Sequence, residues 1–108
     1  MTGTALAIDI GGTKMAAARV DAEGTVLARG QVPTSRDPSA EHVWAALAEL
    51  VASVQEPEDV VCGVGCGGPM ERGGATVSPL NIPGWRGFPL RSRLADLTGL
   101  PTFVDNDA

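Results

Sequence analysis

The apolar positions fall into short runs divided by glycine turns, and their period changes once along the chain. Residues 5–10 are apolar except for Asp9 and are closed by Gly11-Gly12, a strand followed by a turn. Residues 15–20 form a second run. Asp21-Ala22-Glu23-Gly24 then makes an acidic turn ending in glycine, and residues 25–32 follow as a third run. Three short runs joined by two tight turns predict an antiparallel meander. From Ser39 to Gln55 the period becomes helical, with Val43, Ala46, Leu47, Leu50, Val51 and Val54 on one stripe. Ser39 stands where an N-cap belongs, Glu41 suits the first turn of the dipole, and Pro57 ends the segment. Residues 60–65 are continuously apolar, as a buried parallel strand requires.

The next stretch, residues 67–89, is rich in glycine, proline and small polar residues. A loop of that length inside a compact domain is usually functional or disordered, and Trp85 and Phe88 argue for order. Residues 90–98 predict a second helix with Leu90, Leu94 and Leu97 on one face, closed by Gly99 with Pro101 beyond. Residues 102–105 are the last strand. The order is strand, strand, strand, helix, strand, helix, strand. That order predicts an α/β fold: a mixed five-stranded sheet, three antiparallel strands first, with helices on its faces. Ligands gather at the carboxyl ends of strands in such sheets. Here those ends are the polar, glycine-rich segments 9–12, 65–69 and 105–107.

Composition narrows the classes of function. A chain of 108 residues has the length of one domain, and 44% hydrophobic residues suffice for a core. Thirteen acidic against eight basic residues give a net charge of -5, which argues against binding nucleic acid through its phosphates. No run approaches 18 apolar residues and no basic leader precedes one, so neither a membrane span nor a secretion signal is expected. Cys62 and Cys66 share one apolar run and lack the spacing of a disulfide framework or a zinc site. They are expected to be small core residues in a reducing cytoplasm. The sequence stops just after a strand, at Val104-Asp105-Asn106-Asp107-Ala108, and is expected to be the first part of a larger protein.

Four segments carry candidate chemistry. Asp9-Ile10-Gly11-Gly12-Thr13-Lys14 sets a carboxylate in an apolar strand, where a cation or polar cluster is expected to face it. The glycines after it would let backbone N–H groups approach a phosphate, with Thr13 and Lys14 adding a hydroxyl and a charge. A hairpin turn with Asp9 bonded to nearby N–H groups is the plainer alternative. Gly63-Val64-Gly65-Cys66-Gly67-Gly68 has the dinucleotide spacing, but Pro69 follows where a helix should begin and no acidic residue stands about 20 positions on. A tight loop against a small polar ligand fits better. Asn81 is a lone amide in a proline-rich loop, either a polyol contact or a turn former. Asp105-Asn106-Asp107 offers hydroxyl contacts, metal ligands or a general base, and equally a helix N-cap. His42 has no partner carboxylate in the sequence pattern and is expected to be a solvated helix residue.

Together these segments resemble the ROK family (repressor, open reading frame, kinase), in particular its bacterial glucokinases and related hexose kinases. The residues that carry the resemblance are 7–14 (Ala-Ile-Asp-Ile-Gly-Gly-Thr-Lys), 63–70 (Gly-Val-Gly-Cys-Gly-Gly-Pro-Met), 81–85 (Asn-Ile-Pro-Gly-Trp) and 104–108 (Val-Asp-Asn-Asp-Ala), in family order. The resemblance implies a ribonuclease H-like lobe of the actin/hexokinase type, with residues 1–108 as the N-terminal lobe and a second lobe absent from this chain. It implies that Asp9, Gly11, Gly12, Thr13 and Lys14 face the ATP phosphates, with Asp9 toward magnesium. It implies that Gly67, Gly68, Pro69, Asn81, Asn106 and Asp107 contact the sugar, Asp107 being the catalytic base. The expected reaction is ATP-dependent phosphorylation of a hexose, glucose to glucose 6-phosphate foremost. A non-catalytic sugar-sensing or regulatory module of the same family is the alternative. Zinc, further sugar contacts and any homo-oligomer contact would belong to the absent lobe. Family repressors carry a DNA-binding helix-turn-helix ahead of this lobe, for which there is no room before Ala5.

Overall fold

The computed structural model describes residues 3–106. Strands β1 (Thr4–Ile10), β2 (Lys14–Val20) and β3 (Val26–Pro33) form the expected meander. Helix α1 (Ala40–Val54), strand β4 (Asp59–Cys66), helix α2 (Leu90–Thr98) and strand β5 (Thr102–Asn106) follow. The sheet order is β3-β2-β1-β4-β5, with β1, β4 and β5 parallel. The acidic turn between β2 and β3 forms as its residues dictate. Asp21 accepts the N–H groups of Glu23 and Thr25 at 3.0 and 2.9 Å, and Gly24 takes the left-handed φ of 86°.

Both helices lie on one face of the sheet, where the sequence pattern had placed helices on its faces generally. Two crossovers, from β3 through α1 to β4 and from β4 through α2 to β5, advance across the sheet in the same direction. Crossovers of one hand and one direction put their helices on the same side. Alternation along the strands then sorts the residues. Leu6, Ile8, Ile10, Met15, Ala17, Cys62, Val64, Cys66 and Val104 point into a single core with Val43, Leu47, Leu50, Val51, Leu90 and Leu94. Ala7, Asp9, Gly63 and Phe103 point to the other face and are exposed.

Helix α1 begins at the expected cap, Ser39, whose hydroxyl accepts the His42 N–H at 3.4 Å. Helix α2 ends at Gly99, with φ 72° and its N–H bonded to the Ala95 carbonyl. Its buried stripe is Leu90, Leu94 and Thr98, not Leu97, which is 40% exposed. The Thr98 hydroxyl pays for its burial by donating to the Leu94 carbonyl at 2.7 Å. His42 is the exposed helix residue expected, but it has a neighbouring carboxylate the pattern did not show: Asp37, in the loop before α1, lies 3.7 Å from its Nδ1. Cys62 and Cys66 are core residues, and burial pushes the Cys62 thiol up to about 11. Among the described residues no helix is long and apolar enough to cross a membrane.

Candidate functional site

Parallel pairing aligns the carboxyl ends of three strands. Ile10 pairs with Cys66 and Cys66 with Asn106, so the loops after β1 and β4 leave the sheet side by side, next to the end of β5. The first loop is a tight turn in which the Gly11 N–H donates to the Lys14 carbonyl at 3.0 Å. A Cβ on Gly11 would stand 2.8 Å from that carbonyl oxygen, so the turn admits only glycine there. Thr34, just beyond β3, holds the turn from outside. Its hydroxyl donates to the Gly11 carbonyl at 2.7 Å and its N–H to the Thr13 carbonyl at 2.9 Å.

Two further glycine contacts define the site. A Cβ on Gly12 would lie 2.6 Å from the Asn81 Cβ, and one on Gly68 would lie 2.7 Å from the Asn106 Nδ2. Each glycine therefore makes room for one asparagine. Gly12, Gly68 and Asn81 wall a cavity of about 160 Å³, together with Gly11, Gly67, Pro79, Leu80 and the buried Ile10 and Ile82; Asn106 packs against Gly68 and is not on the cavity wall. Asn81 is exposed, and its side-chain amide has no hydrogen-bond partner among the described residues. Pro69 is not on the cavity wall. It follows a cis peptide bond from Gly68 and turns toward Met70 and Glu71.

The loop that carries Asn81 is ordered, as its aromatic residues predicted. Trp85 is fully buried, stacks on Phe88 with centroids 4.5 Å apart, and donates its indole N–H to the Ala40 carbonyl at 3.2 Å. A pair of bridges, Met70 with Val77 and Val77 with Phe88, ties the loop's two arms together.

Asp9 departs from expectation. It is not buried: with Ile8 and Ile10 turned into the core, the period of two sends Asp9 to the open face. No ion pair meets it among the described residues. Lys14, Arg29 and Ala16 border the same shallow depression of that face. The exposed carboxylate at the strand end suits magnesium in the manner that ion prefers, through one or two carboxylates and otherwise through water and substrate phosphates. Among the described residues no cluster of three acidic, histidine or cysteine side chains forms a closed metal cage. Asp107 lies outside the described residues. Of its neighbours, Asn106 sits against Gly68, and Asp105 accepts the Asn106 N–H at 2.8 Å.

Thr34 and Arg86 were missed by the sequence pattern. Thr34 reaches a carbonyl brought close only by the folded sheet, and Arg86 bonds carbonyls of the turns just before it, which no residue pattern marks.

A meander followed by two crossovers, with glycine loops gathered where the parallel strands end, is the lobe of the actin-like ATPase class. Within that class the chain belongs to the ROK family, which it matches over residues 5–108. An N-acetylmannosamine kinase of Citrobacter koseri is 42% identical over 103 residues, 95% of this chain and 36% of that protein. A glucokinase of Streptomyces coelicolor is 37% identical over 107 residues, 98% of this chain and 33% of that protein. Among solved structures, the ROK family glucokinase from Streptomyces griseus in complex with glucose and AMPPNP superposes with a TM-score of 0.83 at 40% identity. That match covers 98% of this chain and 34% of the other. The chain thus spans about a third of the length of its relatives.

Proposed function

We propose that this chain is the N-terminal lobe of an ATP-dependent sugar kinase, with a hexose, glucose first, as acceptor. The observation that carries the reading is one small cavity at the strand ends, walled by Gly12, Gly68 and Asn81, with Gly12 against Asn81 and with Asn106 packed against Gly68 just beyond the wall. Two amides beside glycine backbone suit a polyol, which needs both donors and acceptors at close range. A cavity of about 160 Å³ is also smaller than the ~300–1,000 Å³ usual for ligand clefts, as expected of one wall of a two-walled site. Similarity to glucokinases and to N-acetylmannosamine kinases supports the reaction class and leaves both acceptors to be tested.

In this reading the sugar hydroxyl oxygen attacks the γ-phosphorus, the bond to the β-phosphate oxygen breaks, and the hydroxyl proton passes to Asp107. Phosphoryl transfer asks mainly for positioning and charge neutralisation. Asn81 and Asn106 orient the sugar. The residue 11–14 turn and Asp9 stand on the phosphate side, where Lys14 adds positive charge. Asp9 is the residue that would hold magnesium bound with the nucleotide, which would neutralise charge on the phosphate oxygens.

A coupled ADP-release assay of the full-length protein with glucose, mannose and N-acetylmannosamine tests the reading. Asp107→Asn is expected to lower turnover by roughly 10²–10⁴-fold, the usual worth of a general base, with sugar still bound. Near-normal turnover would remove Asp107 as the base, and sugar binding without turnover in the parent protein would favour a sugar-sensing role.

A further inference from the structure

We propose that Arg86 is a positioning residue for sugar recognition, acting through the turn that presents Asn81. The inference rests on the sugar reading of Asn81 given above. Asn81 sits in the first of two consecutive turns: the Ile82 N–H donates to the Pro79 carbonyl at 3.2 Å, and the Trp85 N–H donates to the Ile82 carbonyl at 3.1 Å. The Arg86 Nη1 reaches the carbonyls of Pro79, Ile82 and Trp85, at 2.9, 3.1 and 2.7 Å. One cation thus gathers the oxygens on both sides of Asn81.

Tight turns aim successive carbonyls toward a common point, and their partial charges repel. A guanidinium at that point relieves the repulsion with charge-assisted hydrogen bonds and fixes the turn's shape. The placement of Asn81 has little slack, because its Cβ already rests where a Gly12 side chain would be. Below the turn, buried Ile82 anchors the backbone by packing, which fixes depth but not rotation. Leu80, 78% exposed, adds no tie above it. Arg86 is itself exposed, so removing it opens no hole in the core. Its effect falls on where Asn81 points.

The test is a cycle of variants in the full-length protein: Arg86→Ala, Arg86→Lys, Asn81→Ala and the double variant Arg86→Ala/Asn81→Ala. Arg86→Ala is expected to raise the sugar KM by roughly 10-fold, the scale of one charge-assisted hydrogen bond, with kcat and nucleotide KM little changed. Arg86→Lys should restore much of the loss, since an ammonium still reaches some of the carbonyls. In the Asn81→Ala background, Arg86→Ala should add nothing further. An Arg86→Ala effect that adds fully to that of Asn81→Ala would overturn the proposal. So would an unchanged sugar KM in Arg86→Ala beside a raised one in Asn81→Ala, and that result leaves the sugar reading standing. No effect of Asn81→Ala on sugar KM would remove both.

Discussion

At the scale of single residues, two glycines separate function from stability. Gly12 has ordinary backbone angles, and only the Asn81 side chain stands in the way of a Cβ. Gly74 has φ 70°, is buried, and a Cβ there would lie 2.4 Å from the Val104 Cβ. Gly12→Ala should therefore push Asn81 aside and weaken sugar use, with little change in urea midpoint. Gly74→Ala combines left-handed strain with overpacking and should cost about 1–3 kcal/mol in urea unfolding. A large stability loss in Gly12→Ala would mean that the turn is a folding element first. The residue types at this site were legible in the sequence, because glycine and amide residues cluster after apolar runs. Their partners were not, since which glycine faces which asparagine depends on the path of a 23-residue loop. Asp9 shows the other limit: its apolar neighbours suggested an enclosed carboxylate, whereas the strand period sends it outward.

At the scale of elements, periodicity located all five strands and both α-helices to within about two residues, and missed the short 3-10 turn at Arg72–Gly74 inside the long loop. It failed where a polar residue entered the stripe, as Thr98 does in place of Leu97 by bonding its own helix. What it does not convey is how helices meet. Arg93 of α2 lies 4.9 Å from the ring centre of Trp44 on α1 and 5.3 Å from that of Phe88, and its Nη2 pairs with Glu41 at 2.5 Å. One side chain thus joins both helices to the base of the Asn81 loop. Arg93→Ala should lower stability by about 1 kcal/mol, from cation–π contacts worth ~0.5–1 kcal/mol and a weaker exposed ion pair. Glu41→Gln should cost less than half of that, because the ion pair is screened and the ring contacts remain. Equal losses in the two variants, read from urea midpoints, would shift the weight to the ion pair.

Across the whole molecule, the sheet has one end given to loops and the other given to a polar staple. At the end remote from the cavity, Asp59 on β4 accepts hydrogen bonds from the Thr4 hydroxyl, from Arg19 Nε at 2.9 Å and from the Glu56 N–H at 2.9 Å. Thr4 and Arg19 stand on β1 and β2, so one carboxylate ties three strands. Burial alone would raise the Asp59 pKa, but the bonds from Thr4, the Glu56 N–H and Arg19 together hold it below the ordinary aspartate range. Hydrogen bonding to Asp59 likewise holds the Arg19 guanidinium above its ordinary value, so it stays charged throughout. The sign follows from linkage. A carboxylate depressed in the folded state contributes its full stability above the unfolded pKa and loses it as pH falls through the folded value. Urea midpoints are thus expected to show no Asp59 contribution to pH dependence near neutrality, and to fall as the pH drops below the ordinary aspartate range. Asp59→Asn should lower the midpoint at neutral pH, because buried Arg19 is left with only the exposed Glu58 carboxylate, 3.6 Å from its Nη2, as counter-charge. Its midpoint should then converge toward that of the parent protein in acid, where the parent loses the same charge. A constant gap between the two curves from neutral to acid pH would show that Asp59 acts by packing and neutral hydrogen bonds alone. Sugar KM in Asp59→Asn, measured below its unfolding range, should stay at the parent value, since the staple and the cavity occupy opposite ends of the parallel strands.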